Sequence, residues 1–111
     1  MNTLSRTEEM MLLAVWRLKD NAYGVTIAEM LTKTSEKKWV LGGVYVPLER
    51  LEKKGYVRSY LGKSTNKRGG RSKRLYRLTQ AGLNALIQTK AQEKSIWANI
   101  TISSLEKGYD I

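Results

Sequence analysis

Neither cysteine nor histidine occurs in the chain. Without them there is no thiol nucleophile, no imidazole base and none of the usual nitrogen or sulfur ligands for zinc, copper or iron. The acidic residues show no clustered Asp pattern such as a calcium loop needs. No metal or other cofactor is expected. The groups that acid–base and covalent catalysis normally use are missing, which argues against an enzyme. No disulfide can form, which fits a reducing compartment, and the expected location is cytoplasmic. Long apolar runs are missing as well. No stretch approaches the roughly twenty apolar residues that span a bilayer. The apolar run Met10–Trp16 is short, and Glu8 and Glu9 precede it where a secretory signal would carry positive charge.

Positive charge is what the chain has in excess. Its 111 residues carry 20 Lys and Arg against 10 Asp and Glu, a formal net charge of +10. Residues 37–78 hold thirteen of the cations (37, 38, 50, 53, 54, 58, 63, 67, 68, 71, 73, 74 and 77) and only two acids, Glu49 and Glu52. That segment is +11 and the remainder, with seven cations and eight acids, is −1. A confined block of this kind is the footprint of a polyanion-binding surface, whereas a charge serving solubility alone would be scattered.

Periodicity gives the element order. A helix is expected from about Arg6 to Lys19, opened by Ser5 with Glu8 completing a Ser-x-x-Glu capping box. Met11, Ala14, Val15 and Leu18 form one apolar stripe along it, with Leu12 and Trp16 beside it. A second helix covers about Val25–Ser35, opened by Gly24 or Thr26, with Ile27, Met30 and Leu31 inward. Trp39-Val40 is a candidate one-pair strand. A third helix runs from about Gly43 to Lys54 and stops at Gly55, after cations that suit its C-terminal dipole. Val44, Leu48 and Leu51 share its inner face; Gly42, Val46, Glu49, Arg50 and Lys53 lie opposite. The one proline, Pro47, falls in the first turn or just beyond it. Two alternating runs, Tyr56–Leu61 and Arg74–Leu78, flank a basic Gly-rich segment and read as a long β-hairpin. Val57, Leu61, Tyr76 and Leu78 would face the core, and Arg58, Tyr60, Arg74 and Arg77 would face out. A last helix starts after Thr79 and reaches toward Lys107 with Gly108 as its stop. At that length it would measure about 37 Å, longer than so small a domain needs.

Helix, helix, helix, hairpin, helix is the order of a winged helix-turn-helix. The expected fold is α+β, mostly α: residues 1–78 form the DNA-binding domain and residues 79–111 a long dimerisation helix, in one compact unit. The third helix (43–54) would enter the major groove, and the wing (62–73) would meet phosphates or the minor groove. Gly42 and Gly43 would let the backbone approach DNA closely, and the helix N-terminus favours a phosphate.

Three stretches, LLAVWRLKDNAYGVTIAEML, LGGVYVPLERLEKKGYV and RGGRSKRLYRLTQAG, make the chain resemble the PadR family of transcriptional regulators across residues 4–87. The features that carry the likeness are Tyr23-Gly24, the V-Y-x-x-L-x-R-L-E-x-x-G run from Val44 to Gly55, and the G-G-R-x-x-R-x-Y-x-L-T run from Gly69 to Thr79. The short tail is similar to that of the smaller subclass, with a single helix after the wing. One position departs from the pattern: Val46, rather than a small residue or proline, follows Tyr45, which bears on base preference and not on the fold. The resemblance implies a homodimer that represses at inverted repeats. It also implies, as in some members, a small aromatic or cationic effector.

The candidate DNA-contacting residues are therefore Gly42, Gly43, Tyr45, Val46, Arg50 and Lys53 of the third helix, with Arg68, Arg71, Lys73 and Arg74 of the wing. Gly69 and Gly70 shape the wing tip, and Glu49 is a candidate acceptor for a cytosine amine. Met10, Met11, Ile96, Trp97 and Ile100 are the candidates for the dimer surface and effector cavity. Trp97 reads first as a plain packing anchor, since aromatic side chains at helical spacing usually just pack. The rivals are a winged-helix protein-interaction module, a basic RNA-binding protein and a membrane-surface binder. The first commonly lacks a basic wing. The second calls for charge on several faces with aromatics on a sheet. The third calls for a helix that joins a cationic face to a broad apolar one, which is not found.

Overall fold

The computed structural model describes residues 4–62 and 73–109. Ser5 opens helix α1 (Arg6–Leu18): its hydroxyl accepts from the Glu8 N–H at 3.1 Å while its own N–H donates to the Glu8 carboxylate at 2.9 Å. This is the reciprocal cap that the Ser-x-x-Glu spacing predicts. The helix ends at Lys19, which takes φ 53°, and one 3-10 turn (Lys19–Asn21) follows. Helix α2 (Gly24–Ser35) begins at Gly24, and Thr26 supplies the cap. The Thr26 hydroxyl accepts from the Tyr23 N–H at 3.0 Å and donates to the Asn21 carbonyl at 2.6 Å. Both residues between which the sequence left the choice thus take part. Helix α3 (Leu41–Lys53) starts two residues before the expected boundary, so Pro47 stands at its seventh position, in the second turn. Gly55 closes it at φ 83°, a conformation natural to glycine.

Strands β1 (Val57–Leu61) and β2 (Arg74–Leu78) pair antiparallel, with Val57 opposite Leu78, Ser59 opposite Tyr76 and Leu61 opposite Arg74. Val57 and Tyr76 are buried as expected, but Leu61 is 64% exposed. It occupies the last pair of the ladder, at the far end from the buried Val57. Trp39-Val40 makes no strand. The Trp39 N–H instead donates to the Thr32 hydroxyl at 2.9 Å, and its indole N–H to Ser35 at 3.0 Å. The short third edge of the sheet comes from Ala22-Tyr23: Tyr23 bridges Leu75, and the Tyr76 N–H donates to the Ala22 carbonyl at 2.9 Å.

Helix α4 (Gln80–Ile96) is capped by Thr79, and its first turn lies so close to the hairpin that a Cβ on Gly82 would overlap the Tyr56 carbonyl. The single long helix expected to Lys107 is corrected here. The chain leaves the helix at Trp97, turns through Asn99 at φ 64°, and starts a second helix, α5 (Ile102–Lys107). The physical reason lies in two residue types. Asn tolerates the left-handed conformation. Thr101 is a good N-cap, and its hydroxyl accepts from the Ser104 N–H at 3.1 Å.

The core lies where α1, α2, α3 and the hairpin meet, with Met11, Leu12, Ile27, Leu31, Val44, Leu48 and Leu51 at its centre. Met11 is fully buried within its own chain and so cannot also offer a surface to a partner. Both stripes of α1 are used internally at Met11 and Leu12, and the helix turns Leu13 and Trp16 outward instead. The observed class is as expected, mostly helical with one two-stranded sheet. The shape is elongated, 68 × 29 × 20 Å, with a radius of gyration of 17.4 Å. A compact chain of about this size would have a value near 13 Å. The excess comes from the far half of α4 and from α5, where Ile96, Ile102 and Leu105 stay exposed.

Candidate nucleic-acid interface

Helix α3 owes its orientation to the three residues it buries. Val44, Leu48 and Leu51 are fully enclosed, and at about 100° per residue this turns Gly42, Val46, Glu49, Arg50 and Lys53 to the opposite side. All five are exposed. A Cβ on Gly42 would meet no atom, and Gly43 is only partly covered. The first turn of the helix therefore offers a low profile to whatever it approaches.

Tyr45 lies at the side of this face. Its ring packs against the start of α2, where the hydroxyl occupies the space that a Cβ on residue 24 would fill. Gly24 is thus required by Tyr45, and the contact fixes how the two helices of the helix-turn-helix meet. The sequence marks both residues, Tyr23-Gly24 and Val44-Tyr45, but nothing in their spacing says that they touch.

The hairpin brings its cations to the same side. Lys73 sits over the Tyr23 ring, 4.3 Å from its centre, and donates to the Tyr23 hydroxyl at 3.3 Å. That contact anchors the ammonium beside α2 at low cost to its hydration. Arg74 does not face out with Arg77. It lies on the Tyr76 face and donates to the Ser59 hydroxyl at 2.9 Å; Ser59 donates in turn to the Glu52 carboxylate at 2.7 Å. The Ser59 N–H also donates to Glu52, at 3.2 Å. This chain of bonds ties α3 to the hairpin, and periodicity alone does not reveal the parts that Tyr23, Glu52 and Ser59 take in joining the elements. Tyr76 beneath it keeps its proton. Burial pushes its hydroxyl above the ordinary 10.0, and the nearby Glu52 carboxylate adds to the effect.

Arg50, Lys53, Lys73 and Arg74 are therefore gathered around the exposed face of α3, with Gly42, Val46 and Tyr45 between them. Arg68 and Arg71, with Gly69 and Gly70, lie outside the described residues. Among the described residues no group of carboxylates could hold a metal ion, and no helix is long and apolar enough to cross a membrane. Of the remaining candidates, Met10 is half-buried on α1, while Ile96, Trp97 and Ile100 are exposed on the C-terminal arm.

The pattern of the transcriptional regulator PadR-like family matches residues 12–88. Among solved structures the chain is similar to a PadR family transcription regulator from Clostridium difficile, at 30% identity over 88% of this chain and 97% of that one, with a TM-score of 0.65. A PadR-like transcription factor from Bacteroides fragilis is 26% identical over 81% of this chain and 82% of that one, with a TM-score of 0.69. A PadR-like transcriptional regulator from Bacillus cereus shares the fold at a TM-score of 0.71 and 23% identity, over 93% of both chains. No curated protein matches the chain.

Proposed function

The chain belongs to the PadR-like family of transcriptional regulators, and from that premise we propose that it is a homodimeric repressor that reads an inverted repeat in DNA. The observation that carries this reading is the α3 face: a low, exposed helix surface held by three buried residues and surrounded by Arg50, Lys53, Lys73 and Arg74. Residues 4–78 serve as the DNA-binding unit and the arm from Thr79 onward as the dimerisation element. The arm's exposed Ile96, Trp97 and Ile100 are the surface that a second copy covers. On the body, Met10 and Leu13 line an open groove of about 420 Å³ between α1 and α2. A dimer would set two α3 helices about one DNA turn apart, roughly 34 Å. The site of action is the cytoplasm.

A further reading concerns a small aromatic or cationic effector. Lys90, Glu93, Lys94, Trp97 and Ile102 line a shallow cleft of about 280 Å³ on the arm. Its Glu93 carboxylate is paired with Lys90 at 3.5 Å and Lys94 stands beside it, so the indole wall suits the flat aromatic alternative better than the cationic one. Titration of a variant whose only tryptophan is Trp97 (Trp16→Phe with Trp39→Phe) should quench its emission if the cleft is the site; unchanged emission with bound ligand places the effector elsewhere.

The test of the main reading is binding of the purified protein to its own upstream DNA and to a scrambled duplex, at two salt concentrations. Preference for the native fragment is expected, with log affinity falling by about 0.9 per phosphate contacted for each decade of salt. Equal binding to both duplexes, or no response to salt, overturns it.

A further inference from the structure

The reading face of α3 is unusual in what it lacks. From Leu41 to Leu48 its residues are Leu, Gly, Gly, Val, Tyr, Val, Pro and Leu. Only Tyr45 among them has a hydrogen-bonding side chain, and its hydroxyl is turned to the start of α2. The first hydrogen-bonding groups on the outward line are Glu49 and Arg50, a turn or more deeper along the helix. In their place the outward line carries one apolar side chain, Val46, 51% exposed at its centre; Val40 and Leu41, at the start of the helix, line a separate groove with Val25, Ala28 and Trp39 on the α2 side. Cations outnumber acids around this face, with Lys37 and Lys38 before the helix, Arg50 and Lys53 along it beside Glu49, and Lys73 and Arg74 on the hairpin. An apolar side chain on a cationic face fits a nucleic-acid groove better than a protein surface, because the cations demand a polyanion. Within the major groove only one base presents an apolar group, the C5-methyl of thymine.

We propose that this chain reads thymine methyl groups in the major groove through Val46, in place of hydrogen bonds to base edges from the first two turns of α3. The inference rests on the DNA-binding reading above and narrows it: the half-site contains thymine where α3 enters. Gly42 and Gly43 bring the backbone close enough for the branched side chain to touch a methyl, and the cations hold the phosphates on either side. Discrimination comes from buried methyl surface, so each contact is modest and several are used together.

The test uses the full chain and a duplex it selects from a random pool. Each thymine of the selected site is replaced in turn by deoxyuridine, which keeps its pairing and loses only the methyl. Removing a methyl that Val46 covers should weaken binding about four-fold, the effect of exposing one buried carbon. A deoxyuridine outside the half-sites should have no effect. Val46→Ala, a change at an exposed position, should lose the preference for thymine at that position while keeping its salt dependence. If the selected duplex is bound tightly but every deoxyuridine substitution binds as thymine does, methyl readout is overturned and the DNA-binding reading stands. If thymine preference persists unchanged in Val46→Ala, the assignment to Val46 is overturned. If no duplex is selected at all, the DNA-binding reading itself fails and this inference with it.

Discussion

The body and the arm of this molecule treat apolar side chains in opposite ways. In the body, Met11, Ile27, Leu48 and Leu51 are enclosed by their own chain. In the arm, Ile96 is 74% exposed, and Trp97, Ile100, Ile102 and Leu105 are also open. Hydroxyl caps open helices in both regions, Ser5 in the body and Thr79 and Thr101 in the arm, so capping does not separate them. What separates them is where the burial is completed: within one chain for the body and, on the proposed dimer, against a second copy for the arm. A row of exposed apolar residues this long is uncommon on a monomer and marks an interaction surface.

Substitutions can break or sharpen that contrast. Leu48→Ala should cost the body about 2–5 kcal/mol, because it empties a fully enclosed site; urea unfolding followed by circular dichroism measures it. Leu105→Ala, in contrast, should leave the urea midpoint of dilute protein unchanged, and an equal loss at both positions would erase the distinction. Trp97→Ala should weaken self-association by about 2 kcal/mol, roughly thirty-fold in dissociation constant, as loss of an aromatic anchor does. Light scattering across a dilution series reads it, and an unchanged mass profile would show that the arm is not the dimer surface. Gly24→Ala should cost about 1 kcal/mol by crowding Tyr45, at the low end for overpacking because the hydroxyl is the far end of a half-exposed side chain. Adding Tyr45→Ala should recover most of that loss; additive losses would show that the two do not meet.

The smallest effect concerns Glu8, which joins the start of α1 to Lys54 after α3. Partial burial raises its pKa, but the hydrogen bonds from Lys54 and Ser5 and the Lys54 charge outweigh it, and the carboxyl titrates below the ordinary 4.5. A carboxyl depressed in the folded state stabilises above its unfolded pKa, and the contribution disappears as pH falls through the folded value. Stability should therefore decline below about pH 4.5. Glu8→Gln should remove the acid-sensitive part at a cost of no more than about 1 kcal/mol at neutral pH. Parallel acid profiles for the two proteins would contradict this.

These contrasts also show what the sequence could say. The three body helices and both strands lie within two residues of where periodicity and caps put them, because Ser5, Gly55 and Thr79 announce element ends by local chemistry. The run from Val44 to Gly55 that carries the resemblance falls on α3 and its closing glycine for the same reason. Failures came where the outcome depends on what touches what. Met11 fits an inner stripe and an outer one equally in sequence, and only the packing of α2 and α3 decides. Leu61 alternates correctly but lies too far along the hairpin to be covered. Arg74 was read outward with Arg77, although two residues three apart in a strand face opposite sides. The break at Trp97–Thr101 was legible in Asn99 and Thr101 but was masked by the apolar spacing across it.

The fit of Tyr45 onto Gly24 has an evolutionary consequence. Residues 24 and 45 are 21 positions apart and belong to different helices, yet a side chain at 24 has room only where residue 45 yields it. In a set of related regulators the two positions should vary as a pair, with a side chain at 24 accompanying a shorter residue at 45. The presentation angle of the reading helix would then be inherited through this pair even as the bases it reads diverge.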